Sequence, residues 1–469
     1  MRLKAFDPSH RHACVAATLL VAAMLLGGGG SPSPAAELAI EVLAGIAALI
    51  WFWLPGTLRL PIDWRLWMVA AFVIGLTGLQ LIPLPPTIWQ SLPGRDIEIA
   101  ALKLVGEESS WQPFTTSPPR TLASLLALVP PIFVLLMTGA LRRSERRWLV
   151  AATAAMALVS VIVGAIQLNA GSQGFKFYDQ SPSYLVLGFQ ANRNSTADIL
   201  LIGLVALAAY RASLHPEGET FAFKSLQKRW WFGSAAMLIG LACVLTASRS
   251  GILLLPATLI ASFAIVRSSS GERGKRSLGV IAAGGFIFAG VASILLRDNP
   301  LLNKIAERFD HGSGREALWK DTIYAIKQFW PFGSGTGTFV PNFIAFEPLQ
   351  SVDYSVPNRA HNDYLELALE SGMFGIAILA AVAGMILWMA IQSSRDSDHS
   401  HTQSAFGIVA LAIFAVHSVV DYPLRSISLA CLAAVSVGLL ARAPQTRLAA
   451  GKTLRSEPSL SEKVNPPVF

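Results

Sequence analysis

The stretch AHNDYLELALESGMFGIAILAAVAGMILWM, residues 360–389, changes character at its middle. From Gly372 onward it is apolar over the roughly 20 residues that cross a bilayer core. Before Gly372 it holds His361, Asp363, Glu366 and Glu370. A histidine and three acids at the mouth of a membrane-spanning helix point to a fold class and to a place for chemistry. Ionisable side chains at membrane depth are expensive and mark functional positions.

The rest of the chain agrees with a membrane protein. Of its 469 residues 53% are hydrophobic and 14% charged, where a soluble protein carries roughly a quarter charged residues. The apolar residues gather into blocks at 13–30, 36–54, 66–85, 121–141, 148–168, 195–213, 232–248, 250–267, 278–296, 372–392, 404–422 and 426–442. Continuous apolar runs satisfy their backbone in lipid as helices. The expected fold is therefore an all-α polytopic membrane protein with about 12 transmembrane helices. The helical domain covers 1–442, and the polar tail 443–469 reads as disordered. Residues 14–30 followed by SPSPAAELA also resemble a secretory signal; a retained first helix is the reading adopted. No internal repeat is visible.

The net charge of +8 reads as topology signal rather than as a nucleic-acid surface. RRSERR (142–147), KSLQKR (224–229) and RSSSGERGKR (267–276) lie in short connections between apolar blocks. With twelve spans these share one side with both termini, which the positive-inside rule places in the cytoplasm. The opposite side then receives 86–120, 169–194 and the long loop 297–371. Cys14, Cys243 and Cys431 are scattered through apolar blocks and form neither a disulfide framework nor a metal site.

Within the long loop, Trp319, Ile323, Ile326 and Trp330 recur at helical spacing. They fit a helix resting on the membrane surface or an ordinary packed loop helix. GSGTGTF (333–339) lacks the Lys-Ser/Thr of a phosphate loop and reads as a turn. RDSDHSH (395–401) reads as a solvated loop.

Basic residues on the outer side run against the charge bias. These are Arg193 in FQANRNSTADILL, Arg249 in LTASRSGILLL, Arg315 and Arg359. Each alone fits a snorkelling or locally paired arginine. Arg249 lies in a turn shared by two spans, flanked by Ser248 and Ser250, and is expected to face the protein interior. Asn362 and Asp363 look like a helix start. Its positive end favours anions and a neutral imidazole, which can accept a hydroxyl proton. Asp363, Glu366 and Glu370 share one helix face. They are placed to orient His361, to pair with the outer arginines, or to bind acceptor hydroxyls.

Several of these pieces resemble the O-antigen ligase and O-antigen polymerase family of bacterial membrane glycosyltransferases. His361, Asn362, Gly372 and Gly375 resemble its His-Asn-x9-Gly-x-x-Gly pattern. GREALW…PFGSGTGTF (from Gly314) is similar to the approach to that histidine. TASRSG (246–251) and NRNSTA (192–197) are similar to its arginine-bearing segments. The resemblance spans about residues 180–425.

It implies a GT-C-type helical fold with a large periplasmic loop in the bacterial inner membrane. It also implies glycan transfer from a polyprenyl-diphosphate donor to a glycan or lipid A–core acceptor, with no cofactor, no metal and no nucleic acid. Arg193 and Arg249 would then hold the diphosphate, with Arg315 a further candidate for it or for the acceptor sugar. His361 would activate the acceptor hydroxyl, and Asn362, Glu366 and Glu370 would contact substrate. Direct displacement would invert the anomeric centre. Protein O-oligosaccharyl transfer is an alternative acceptor choice. A polysaccharide-lipid transporter or flippase is a rival reading, and mid-span breaks in paired positions would be its sign.

Overall fold

A computed structural model describes residues 10–29, 34–55, 62–170, 176–178, 185–214, 223–268, 314–352, 356–396 and 400–444. In chain order the helices are α1 (Arg11–Leu26), α2 (Pro34–Trp53), α3 (Trp64–Leu79), α4 (Pro86–Trp89), α5 (Asp96–Leu104), α6 (Pro118–Ala127), α7 (Val129–Ala140) and α8 (Arg143–Ala170). They continue with α9 (Arg193–Ser213), α10 (Phe223–Leu245), α11 (Arg249–Ser268), α12 (Arg315–Phe329), α13 (Phe339–Phe346), α14 (Asp363–Arg395), α15 (His401–His417) and α16 (Ile427–Leu440). A short 3-10 turn, Pro423–Arg425, joins the last two. Among the described residues the only sheet is a two-stranded antiparallel pair, Pro83–Leu84 with Gln112–Pro113.

Six helices among the described residues are long and apolar enough to cross a membrane, with α6 and α7 taken together as one continuous stretch from Pro118 to Ala140, and five shorter apolar helices accompany them. Each expected span coincides with one of these helices, except 278–296, which lies outside the described residues, as does most of the tail. Apolar side chains such as Leu49, Phe52 and Leu253 are exposed on the bundle surface, as expected of an integral membrane protein whose outer face meets lipid rather than water.

The central helix is α9, which packs against α8, α10, α11 and α15. Small residues let it do so: a Cβ added at Gly203 would fall 2.2 Å from the Ala157 Cβ of α8. Helix–helix contact in membranes depends on this close backbone approach. Helix α1 packs against α2, α8 and α16, and Leu19, Leu20, Ala23 and Met24 are buried in that core. Its end is bonded into the bundle, with Ser428 N–H donating to Gly27 O at 3.1 Å and Ala191 N–H to Gly28 O at 2.9 Å.

One basic cluster does more than mark topology. Arg146 is fully buried, and its guanidinium donates to Thr138 O, Gly139 O, Leu141 O and Ala441 O. It thus satisfies the open carbonyls at the C-terminal ends of α7 and α16, where positive charge is favoured.

Helix α12 is a packed loop helix. Thr322, Ala325 and Phe329 face inward, Phe329 joining a small core with Phe339, Phe343 and Leu369. Ile323 and Trp330 are exposed. The buried face is therefore rotated by about one residue from the aromatic stripe.

Candidate active site

The opening stretch is two helical segments, not one. Gly372, at φ 55° and ψ −145°, breaks α14, a left-handed backbone that glycine adopts without Cβ strain. The break frees backbone groups, and the glycine-rich turn satisfies them. Ser334 N–H donates to Leu369 O at 2.9 Å, Gly335 N–H to Glu370 O at 2.8 Å, and Met373 N–H to Pro331 O at 2.9 Å. Contact is so close that a Cβ at Gly372 would fall 2.1 Å from Pro331 O. The short segment from Asp363 to Ser371 is thereby separated from the apolar span that follows.

Asn362 caps that segment, its Oδ1 accepting from the N–H groups of Tyr364 and Leu365, both at 3.0 Å. Its Nδ2 donates to Val419 O at 2.8 Å. Asp363 N–H donates to Ser418 O at 2.9 Å, and Ser418 Oγ donates to Asp363 Oδ2 at 2.9 Å. The His-Asn-Asp triplet is thus latched onto the connection between α15 and α16. The expected span 404–422 ends in the structure at His417, and residues 418–422 form this connection.

The latch brings His361 to Asp421, with Nδ1 and Oδ1 2.9 Å apart. His361 is 29% exposed and Asp421 4%. A carboxylate accepts from Nδ1–H and so leaves the lone pair on Nε2, pointing away from Asp421. Tyr422 packs edge-on against the imidazole, ring centroids 5.0 Å apart. His361 itself takes a left-handed φ of 50°, a conformation costing of order 1–3 kcal/mol that is found where surroundings enforce it.

Asp421 has further donors. Asn192 Nδ2 lies 3.4 Å from Oδ2, and the Asn194 side chain also hydrogen-bonds to the carboxylate. Burial pushes its pKa up, but the hydrogen bond from His361, the neighbouring imidazoles of His361 and His417 and the Asn194 contact outweigh it. The net result lies below the ordinary aspartate value.

The same network reaches the arginine-bearing helix starts. Ser248 Oγ donates to Asn194 Oδ1 at 2.8 Å, and Gly251 N–H donates to Ser248 Oγ at 3.2 Å. A Cβ at Gly251 would fall 2.5 Å from the Ala197 Cβ, so the starts of α9 and α11 touch. Arg193 opens α9 and Arg249 opens α11. Both therefore begin helices whose N-terminal turns join the Asp421 network. Arg315 opens α12, one turn before Trp319, whose Nε1 donates to Ala360 O at 3.1 Å beside His361. The structure thus gathers Arg193, Arg249, Arg315 and His361 at one end of the bundle.

Glu366 and Glu370 are fully buried and engaged with protein partners. Glu366 Oε1 pairs with Arg359 Nη1 at 2.9 Å, and Glu370 Oε2 with Arg425 Nη1 at 2.8 Å. Glu366 Oε2 also accepts from Ala360 N–H at 3.1 Å, and Glu370 Oε1 from Gly337 N–H at 2.8 Å. Of the three roles open to these acids, pairing with arginines is the one the geometry displays. Trp319 Nε1 donates to Ala360 O at 3.1 Å, so α12 and the acids together hold the residue preceding His361.

Sequence reasoning missed Asp421, Tyr422, Arg425 and the Asn192–Asn194 pair. In HSVVDYPLR (417–425), residues 417–422 read as the end of the span 404–422 and residues 423–425 as a bare connection to the next. A histidine and an aspartate four residues apart inside an apolar block was the available signal.

No curated protein matches the chain. Residues 234–380, a segment that includes Arg249, Arg315, His361 and the Gly372 break, match the family described as O-antigen ligase, the family that the motifs resemble.

Proposed function

We propose that the protein transfers a glycan from a polyprenyl-diphosphate donor to an acceptor hydroxyl on the periplasmic side of the bacterial inner membrane, with both termini in the cytoplasm. The observation that carries this reading is the His361–Asp421 pair at 2.9 Å, set among the helix starts that bear Arg193, Arg249 and Arg315.

Asp421 fixes the imidazole tautomer, and His361 Nε2 accepts the proton of the acceptor hydroxyl. The hydroxyl oxygen forms a bond to the anomeric carbon as the bond from that carbon to the diphosphate oxygen breaks, inverting the centre. The polyprenyl diphosphate leaves with the negative charge. Guanidiniums offer bidentate contacts to phosphate, and three helix N-termini add positive potential where that charge develops. Asn362, Glu366 and Glu370 contribute by holding His361, Arg359 and Arg425 rather than by touching substrate. Arg359 and Arg425 face three carboxylates and are largely neutralised by them, which suits acceptor hydroxyls better than a diphosphate.

The test is glycan transfer in proteoliposomes loaded with a lipid-diphosphate-linked glycan. Acceptors offered separately are lipid A–core, a second lipid-linked glycan and a protein hydroxyl. Wild type is expected to form product with one of the first two, and His361→Ala none while still inserting normally. Transfer by His361→Ala at the wild-type rate would remove the base assigned here.

A further inference from the structure

A second histidine–aspartate pair lies beneath the first. His417 Nδ1 and Asp198 Oδ1 are 2.6 Å apart, and both side chains are almost fully buried. Asp198 belongs to α9 and His417 ends α15, helices that pack together and run in opposite directions.

The spacing makes the two pairs rungs of one ladder. Asn194 and Asp198 are four residues apart on α9, on the same face. His417 and Asp421 are also four apart, and Asp421 N–H donates to His417 O at 2.9 Å, closing one turn. Asn194 meets Asp421 in the outer rung, and Asp198 meets His417 in the inner rung, about 6 Å deeper by helical rise. The main chain of His417 thus sets where Asp421 begins, and its side chain ties that point to α9. Asp421 and Arg315 act on His417, and Cys243 lies near Asp198.

Stability alone does not account for the inner rung. His417 Nε2 and Asp198 Oδ2 have no hydrogen-bond partner among the described residues. A buried pair with two unsatisfied atoms costs free energy that a well-packed apolar pair would not. What the ionisable pair supplies is a directional link from α9 to the turn bearing Asp421.

We propose that Asp198 and His417 are positioning residues that fix Asp421, and through it the orientation of His361. This rests on the transferase reading above. His417→Gln places its amide near the Nε2 position and takes the donor away from Asp198, whereas His417→Asn keeps a donor near Nδ1. Displacement of a base by about 1 Å costs on the order of a hundredfold in rate. His417→Gln is therefore expected to lower kcat by about tenfold to a hundredfold with the donor KM unchanged, and His417→Asn to recover most of that loss.

The deciding measurement is a double-mutant cycle in the proteoliposome assay, since residues that act through one another are not additive. In an Asp421→Asn background, His417→Gln is expected to add less than about twofold. Multiplying losses, wild-type kcat in His417→Gln, or a lowered Tm with unchanged kcat per folded molecule would overturn the proposal. Where His417→Gln does not insert, Asp198→Asn runs through the same cycle, and multiplying losses again decide against it. Inactive wild type would overturn the transferase reading and this inference together. Active wild type, inactive His361→Ala and an additive cycle would overturn the inference alone.

Discussion

Replacing Asp421 by asparagine alters one atom of the side chain and is expected to remove most of the transfer rate. Three donors converge on the carboxylate: His361 Nδ1–H at 2.9 Å, Asn192 Nδ2 at 3.4 Å, and Asn194. Asparagine offers one acceptor oxygen and one NH2 group. If its NH2 faces His361, the imidazole must carry its proton on Nε2 and has no lone pair for the acceptor hydroxyl. If its oxygen faces His361, the NH2 opposes the donors from Asn192 and Asn194.

General-base assistance is worth about 10²- to 10⁴-fold. At about 1.4 kcal/mol per tenfold, the barrier should rise by about 3–5.5 kcal/mol. The assay is initial-rate transfer in proteoliposomes with saturating donor and acceptor; kcat falls and both KM values stay within about threefold. Asp421→Asn working within about threefold of wild type, with His361→Ala inactive, would refute the argument from tautomer and orientation.

The same carboxylate makes a pH prediction. Its pKa lies below the ordinary aspartate value, so its contribution to stability is fully present above about pH 4 and is lost as pH falls through the lower folded value. The Tm difference between wild type and Asp421→Asn is therefore expected to be flat above about pH 5 and to shrink on further acidification. A difference that grows in acid would contradict that sign.

Three further variants probe separate parts of the structure. Arg249→Ala is expected to lower kcat/KM for the lipid-diphosphate donor by about 10²-fold with little change in acceptor KM, and Arg249→Lys to restore only part of it, since a point charge lacks the bidentate fork; equal effects on donor and acceptor would argue against a diphosphate contact. Gly372→Ala forces a Cβ to within 2.1 Å of Pro331 O at a φ of 55° and is expected to cost about 2–5 kcal/mol from left-handed strain and overpacking, read as a lower Tm in detergent. Arg146→Ala takes a donor from four buried carbonyls, of which Thr138 O alone keeps a partner among the described residues, in Leu141 N–H, and is expected to lower folded yield sharply, by about 1–3 kcal/mol for each unsatisfied group, while transfer per folded molecule keeps its wild-type rate.

Hydropathy placed the membrane helices because lipid imposes one local rule, about 20 apolar residues with internally bonded backbone. The rule failed where chemistry interrupts it. Residues 418–422 are apolar enough to extend a span, yet they turn to present Asp421. Gly372 looks like an ordinary small residue in a helix, and its break shows only when the turn at 333–337 docks against it. Arg146 looked like one of several topology charges, and only packing placed it over the ends of two helices.

The sequence by itself determined that this is a helical membrane protein, which residue types stand at its helix mouths, and that His361 and the outlying arginines call for an explanation. These are local properties, readable from hydropathy, charge and motif spacing. Only the tertiary structure decided the partners. It joined His361 to Asp421 across 60 positions and His417 to Asp198 across 219, and it paired Glu366 and Glu370 with Arg359 and Arg425. Such partnerships follow from how helices pack around α9, and packing brings together residues whose distance along the chain carries no trace of the contact.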